Sequence, residues 1–397
     1  MILQLVCDNV EISTKITYFT TPVYISAYHY RKMRKIFTIL VLFFFFHQSQ
    51  AQIHISDKID TTSQKAKDLC RFVKVYMSQY TITNKLWHPK YKNRSFYDYN
   101  MNWLWNSYSP KKFAMKFDLQ LVELQSVNDT LSYFKLLARS KPDKEGNTYT
   151  NIYKYYIVAK DGDYYLDNCK AYDSKLFVRY ETKNIHFYLS PFYTISKKAM
   201  DRASESLDSI RRLLKRPVLK QPIEYYMCSN EGELNNLANI IIWGNGGLTG
   251  FTNNVDGYIV GINNNPSYHH EFIHAVLGSG ANCFFLQEGM ATLYGGTDKG
   301  KTTYMKGIQE LKACYKSGDC SFDKLYAREV NGKYSSSLTY TFAAACCKYL
   351  IENYGINFLY QLYYDNSITS DNFLEKVMLK TGKSREELKK GIEKEIL

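Results

Sequence analysis

Between Met115 and Glu181, apolar and polar side chains alternate with a period of two, in runs broken by turn residues. Such alternation sends one set of side chains to a buried face, so strands are predicted at 115–124, 130–140, 148–160, 164–169 and 176–181. Asn128-Asp129, Pro142 to Gly146 and Asp161-Gly162-Asp163 supply the breaks. Upstream, Leu69, Phe72, Val73, Val75 and Tyr76 recur at helical spacing within 61–81, with Asp60 or Thr61 as cap. Beyond residue 184 helical periods dominate. Strands are expected at 185–189, 223–227 and 257–262, and helices at 196–215, 284–294, 301–315, 336–353, 356–364, 371–380 and 384–396. A short helix opens with Ser229 as its cap. Asn265-Pro266 supply the cap and first residue of another, which Gly278 and Gly280 end. The fold class is α+β.

The change of period divides the chain into residues 53–183 and 184–397. The first part reads as one helix on an antiparallel sheet, loosely similar to cystatin or NTF2 folds. Its Tyr-, Trp- and Asn-rich loop from Trp87 to Pro110 has two readings: the contact surface of a binding module, or aromatics that fill the module's own core.

Ahead of both parts, Met33-Arg34-Lys35 precedes an apolar run from Ile36 to Phe46 and a small-x-small site at Ser49-Gln50-Ala51. That is the form of a secretory leader over 33–52. Translation is then expected to begin at Met33, with 1–32 an upstream mis-start and the mature chain beginning near Gln52. The apolar run is too short to span a bilayer, so no stable membrane insertion is expected after cleavage. The expected destination is the periplasm, the cell surface or the exterior.

Composition adds limits. Of 397 residues, 45% are apolar and 22% charged, which fits packed domains and not disorder. The net charge of +13 comes from dispersed Lys and Arg, with no basic-aromatic array of the kind that tracks nucleic acid. Of the nine Cys, Cys7 precedes the leader, and the other eight form neither a C-x-x-C pair nor a Cys/His cluster. In an oxidising compartment Cys314 and Cys320 could close a small loop, while Cys346-Cys347 read as packing residues within a helix.

The densest chemistry lies in His270-Glu271-Phe272-Ile273-His274. On a helix, residues four apart share a face, so His270 and His274 can offer two nitrogens to one Zn²⁺. Glu271, beside the first ligand, can then take a proton from water as general base. Phe272, Ile273, Val276 and Leu277 predict a buried helix, and buried His and Glu need partners. By contrast, Gly295 to Thr302 matches the phosphate-cradling G-x-x-x-x-G-K-[ST] but follows a predicted helix rather than a strand, and reads as an inter-helix loop.

After the H-E-x-x-H helix comes Phe285-Leu286-Gln287-Glu288-Gly289-Met290-Ala291. That order resembles the gluzincin metallopeptidases, most of all the peptidase MA-like bacterial proteins, whose second motif reads approximately W/F-L-x-E-G-x-A. The resemblance covers about 184–365. It implies a thermolysin-like catalytic domain with a small sheet and a mostly helical C-terminal part, and makes Glu288 the third zinc ligand. A His₂Glu set leaves one of four zinc positions open, as hydrolysis requires. Gly289 and Ala291 are small enough to let the second helix approach the first.

The resemblance further implies a substrate strand, for which Tyr258, Ile259, Val260, Gly261 and Ile262 are nominated as a sheet edge. It also implies a donor to the oxyanion, Tyr340, with Tyr334 in reserve. The function expected is that of an exported zinc metallopeptidase acting on peptides or proteins. The alternative is an inactive peptidase-like surface protein that binds a partner through its aromatic first domain.

Overall fold

The computed structural model describes residues 53–397 apart from 81–83, 92–108, 143–145, 243–248, 255, 263–264, 298–302 and 331–336. The leader expected at 33–52 therefore lies outside the described residues, as does Tyr334. Among the described residues no helix is long and apolar enough to cross a membrane.

The architecture is mixed α+β, built on two sheets. Strands β1 (Ile53–Ile55), β2 (Phe117–Ser126), β3 (Leu131–Ser140), β4 (Thr150–Lys160) and β5 (Asp163–Asp167) form the first, in that order. β2 to β5 are antiparallel, as their alternation predicts, but β1 joins β2 in parallel, so the sheet is mixed. The helix Gln64–Met77 lays Leu69, Phe72, Val73 and Tyr76 on this sheet against Phe134, Leu136, Tyr153 and Tyr155. Its cap is Ser63, whose hydroxyl accepts from the Ala66 N–H. Asp60 instead ties up the Thr62 N–H and hydroxyl one turn earlier.

Trp87 and Tyr91 settle part of the aromatic-loop question. Both are buried, with the Trp87 ring 6.2 Å from Tyr155 and 5.8 Å from Tyr91. They fill the core. The rest of that loop, 92–108, is outside the described residues.

β6 (Val178–Glu181), β7 (Ile185–Leu189) and β8 (Ile223–Met227) begin the second sheet. β6 follows the alternating stretch in sequence but pairs with β7. A helix, Lys197–Leu213, crosses from β7 to the parallel β8 and buries Met200, Ala203, Leu207 and Ile210. Next, Glu231–Leu237 is helical with Asn230, not Ser229, as cap. The Ser229 N–H is taken by the Glu233 carboxylate at 2.7 Å, and the Asn230 side chain accepts from the Glu233 N–H.

The chain then returns. β9 (Ile240–Ile242) pairs with β4 of the first sheet before β10 (Gly250–Asn253) and β11 (Tyr258–Gly261) complete the second. The second sheet runs β10-β11-β8-β7-β6.

A polar network surrounds the end of β5. Asp167 is 1% exposed, and its carboxylate accepts from Lys90 Nζ (2.5 Å), the Tyr91 hydroxyl (2.7 Å), the Tyr172 hydroxyl (2.8 Å) and the Asn168 N–H (2.9 Å). Asn239, at φ 61° in the left-handed region that Asn tolerates, donates to Asn168 Oδ1 and accepts from the Cys169 N–H. Burial, then the Asp167 charge, push the Tyr91 phenol far above its usual range.

Later helices follow the expected positions: Tyr304–Ser317, Ser337–Tyr354, Ile356–Tyr363, Phe373–Thr381 and Arg385–Ile396, with short ones not expected at Pro110–Lys116, Lys170–Asp173 and Phe322–Tyr326. Cys314 and Cys320 are disulfide-bonded, with Cα atoms 5.3 Å apart. Cys70, Cys169, Cys228, Cys283, Cys346 and Cys347 are free thiols, all buried.

Candidate metal centre

The motif helix runs His269–Leu277, and its first residue is later than Asn265-Pro266 predict. Asn265 Oδ1 accepts from the Ser267 N–H in a turn of its own, and Tyr268 holds the cap position without a side-chain hydrogen bond. Phe272 and Ile273 are fully buried beneath the helix, Phe272 edge-on to Tyr225 of β8 at 6.2 Å. Each such side chain contributes about 2 kcal/mol by leaving water. The helix ends at Gly278, with φ at 71°. Its last carbonyls are taken by tyrosines: Leu277 O by Tyr364 (2.7 Å) and Gly278 O by Tyr363 (3.2 Å).

The second helix, Phe284–Gly295, packs beside it. The expected role of Gly289 is corrected here. A Cβ on Gly289 would lie 2.5 Å from Ala343 O and 2.8 Å from Cys347 Sγ, so this glycine admits the helix Ser337–Tyr354 rather than the motif helix. Close approach to the motif helix is made instead by Gly295, where a Cβ would sit 2.6 Å from His270 N. The Gly295-Gly296 pair of the apparent phosphate loop ends this helix. Part of that loop, 298–302, lies outside the described residues.

This packing brings His270, His274 and Glu288 together, their nearest ligand atoms all within 4.8 Å of one another. Glu288 Oε2 lies 3.1 Å from His270 Nε2 and 3.6 Å from His274 Nε2. On its far side, His270 Nδ1 is 2.8 Å from Gly296 O, a contact in which Nδ1–H donates. That bond fixes the tautomer, so Nε2 of a neutral His270 is an acceptor facing an acceptor carboxylate. Two such groups repel unless a proton or a cation lies between them. Without a metal the proton serves. Burial opposes the charged imidazole, but the Glu288 carboxylate and Glu271 outweigh it and hold His270 at about 9. Glu288 is held well below the usual carboxylate range, its burial outweighed by His274 and His270. A cation replaces the proton with the same charge logic, and two imidazoles with one carboxylate are a zinc-type set.

Glu271 is buried at 5%, and its Oε2 is fixed by Thr252 on β10, whose hydroxyl lies 2.7 Å away and 3.1 Å from the Glu271 carbonyl. One carboxylate oxygen is thereby committed and the other is left for chemistry. Tyr340 stands alongside, half-buried, its ring 6.3 Å from His270 and 5.1 Å from Phe284. Burial, then Glu288 and Glu271, push its phenol above the usual range, with Arg328 pulling the other way.

The nominated substrate strand requires correction. Tyr258, Ile259, Val260 and Gly261 form β11, which is paired on both sides, with β10 and β8, and is wholly buried; Ile262 follows it. It has no free edge. The edge is β10, on whose outer side no strand pairs among the described residues.

Sequence reading thus missed Thr252, the Gly296 carbonyl and β10. Gly295-Gly296 after the second motif was the one available signal, and the phosphate-loop pattern disguised it. Compared with protein-family models, with curated proteins and with solved structures, the chain has no match in any of the three.

Proposed function

We propose that the chain is an exported zinc metallopeptidase. The observation carrying this reading is the convergence of His270, His274 and Glu288 beside a Thr252-anchored Glu271. Such a set fits Zn²⁺ in number and chemistry, and bound zinc supplies Lewis acidity and a nucleophile from water at neutral pH. Glu271 takes the proton of the attacking water and passes it to the leaving amine. Tyr340, whose ring stands near His270, donates to the developing oxyanion.

The order of strands and helices around the motif supports a gluzincin-like catalytic part over about 184–365. The helix on the first sheet supports a cystatin- or NTF2-like accessory part. A peptide substrate would add to the free edge of β10, where the base is already tethered. The leader expected over 33–52 would carry the enzyme out of the cytoplasm.

The deciding experiment compares the protein with its Glu271→Gln variant for zinc content and for cleavage of a mixed peptide library. Zinc at one per chain in both, with cleavage lost only in the variant, is the expected result. A variant that cleaves as fast as the parent removes Glu271 from the mechanism, and a parent that takes up no zinc removes the peptidase reading.

A further inference from the structure

Near Tyr340 lies a cation, Arg328, that no carboxylate neutralises among the described residues. Arg328 follows the short helix Phe322–Tyr326, at φ 60°, a left-handed conformation that costs an arginine roughly 1 kcal/mol. Two backbone hydrogen bonds hold it there, Arg328 N–H to Leu325 O at 3.1 Å and Glu329 N–H to Lys324 O at 2.8 Å. The side chain is exposed, yet not adrift: its guanidinium carbon lies 5.4 Å from the centre of the Phe284 ring. Phe284 meets Tyr340 edge-on at 5.1 Å, and Tyr340 in turn stands 6.3 Å from the His270 ring. No carboxylate among the described residues pairs with Arg328.

We propose, resting on the peptidase reading of the site, that Arg328 receives a carboxylate of the substrate and so sets its specificity. A guanidinium is a planar fork suited to a carboxylate, and stacking on an aromatic face holds the fork oriented before the ligand arrives. The two ring steps from Arg328 to Tyr340 span at most about three extended residues at about 3.4 Å each. The carboxylate recognised therefore lies within about three residues of the cleaved bond, either as the free C-terminus or as an acidic side chain near it. The left-handed turn closes the helix Phe322–Tyr326 by taking the Leu325 and Lys324 carbonyls, and it leaves the guanidinium exposed against the Phe284 face.

The test uses the full chain carrying Glu271→Gln, which binds without cleaving. Equilibrium dialysis is run against three random hexapeptide libraries: free acids, C-terminal amides, and amides with Asp or Glu in the last three positions. Bound peptide is read by mass spectrometry. The same is done with Arg328→Asn added, since Asn keeps the left-handed backbone, and with Arg328→Lys. Preference of about tenfold for the acids, or for the acidic amides, over neutral amides is expected, as one charge-assisted pair provides. Which of the two libraries carries it identifies the source. Arg328→Asn should bring the ratio to about one and Arg328→Lys should restore part of it. Equal binding of all three libraries by the Glu271→Gln chain, or a ratio unchanged in Arg328→Asn, overturns the carboxylate site and leaves the peptidase reading intact. A chain that binds none of the libraries overturns both.

Discussion

Asp167 in the first sheet is a buried carboxylate and Glu288 beside the second is one with a quarter of its side chain exposed, and their surroundings differ in kind. Asp167 is met by donors on both oxygens: an ammonium, two phenols and a backbone N–H. Its charge is matched within the chain, and what it does is hold β5 to its neighbours. Glu288 is met by two imidazoles, one of which is turned by Gly296 to present a lone pair. Its charge is matched only by borrowing a proton. A saturated carboxylate is a structural part; one surrounded by fellow acceptors is a site for a cation.

The sharpest way to break that contrast is to exchange the losses. Glu288→Ala should lower zinc affinity by more than about a hundredfold, since one of the three proposed ligands goes, with folding little changed. Asp167→Asn should do the reverse: zinc affinity stays within about twofold, and stability falls by about 3 kcal/mol as Lys90 and the phenols lose their partner. Competition titration with a chromophoric chelator and urea unfolding read the two quantities. A zinc loss in the Asp167 variant without unfolding would erase the distinction.

Next in size is pH. Without metal, His270 keeps its proton up to about 9 through Glu288, well above the ordinary histidine value near 6.5. Zinc has to displace that proton, so apparent affinity should rise about tenfold per pH unit from neutrality to about pH 9, then level off. In the metal-free chain the sign is opposite: the His270 proton stabilises fully below about 6.5 and its contribution disappears as pH climbs through 9. Melting curves with and without zinc across that range should diverge as pH increases. Curves that stay parallel would mean His270 is not a ligand.

The smallest expected effect belongs to Thr252. Thr252→Val should lower kcat about tenfold through a freed Glu271, with zinc content and KM unchanged, while Thr252→Ser keeps the hydroxyl and the rate. A change confined to KM would place Thr252 in substrate binding instead.

Much of this fold was legible because its signals are local. The strands 185–189 and 223–227 and the helix stop near Pro217 follow from period and from punctuation within a few residues. The shared facing of His270 and His274 was legible for the same reason, since four residues on a helix fix a direction. What stayed hidden depends on partners distant in sequence. Whether Tyr258–Gly261 is an edge is decided by β10, whose glycine-flanked residues look like a bend, although four consecutive buried positions already fit an interior strand. Which element Gly289 admits is decided by Ala343, and which residue caps at 229–230 by where the Glu233 carboxylate goes.

β9 bears on how the protein is made. During synthesis β4 emerges early and pairs with β3 and β5, yet Ile152 and Tyr153 gain their partners on β9 only after some ninety further residues have left the ribosome. The first half thus waits, with part of a strand uncovered, for the second half to begin. A chain cut short near residue 183 would leave that part of β4 without its β9 partner.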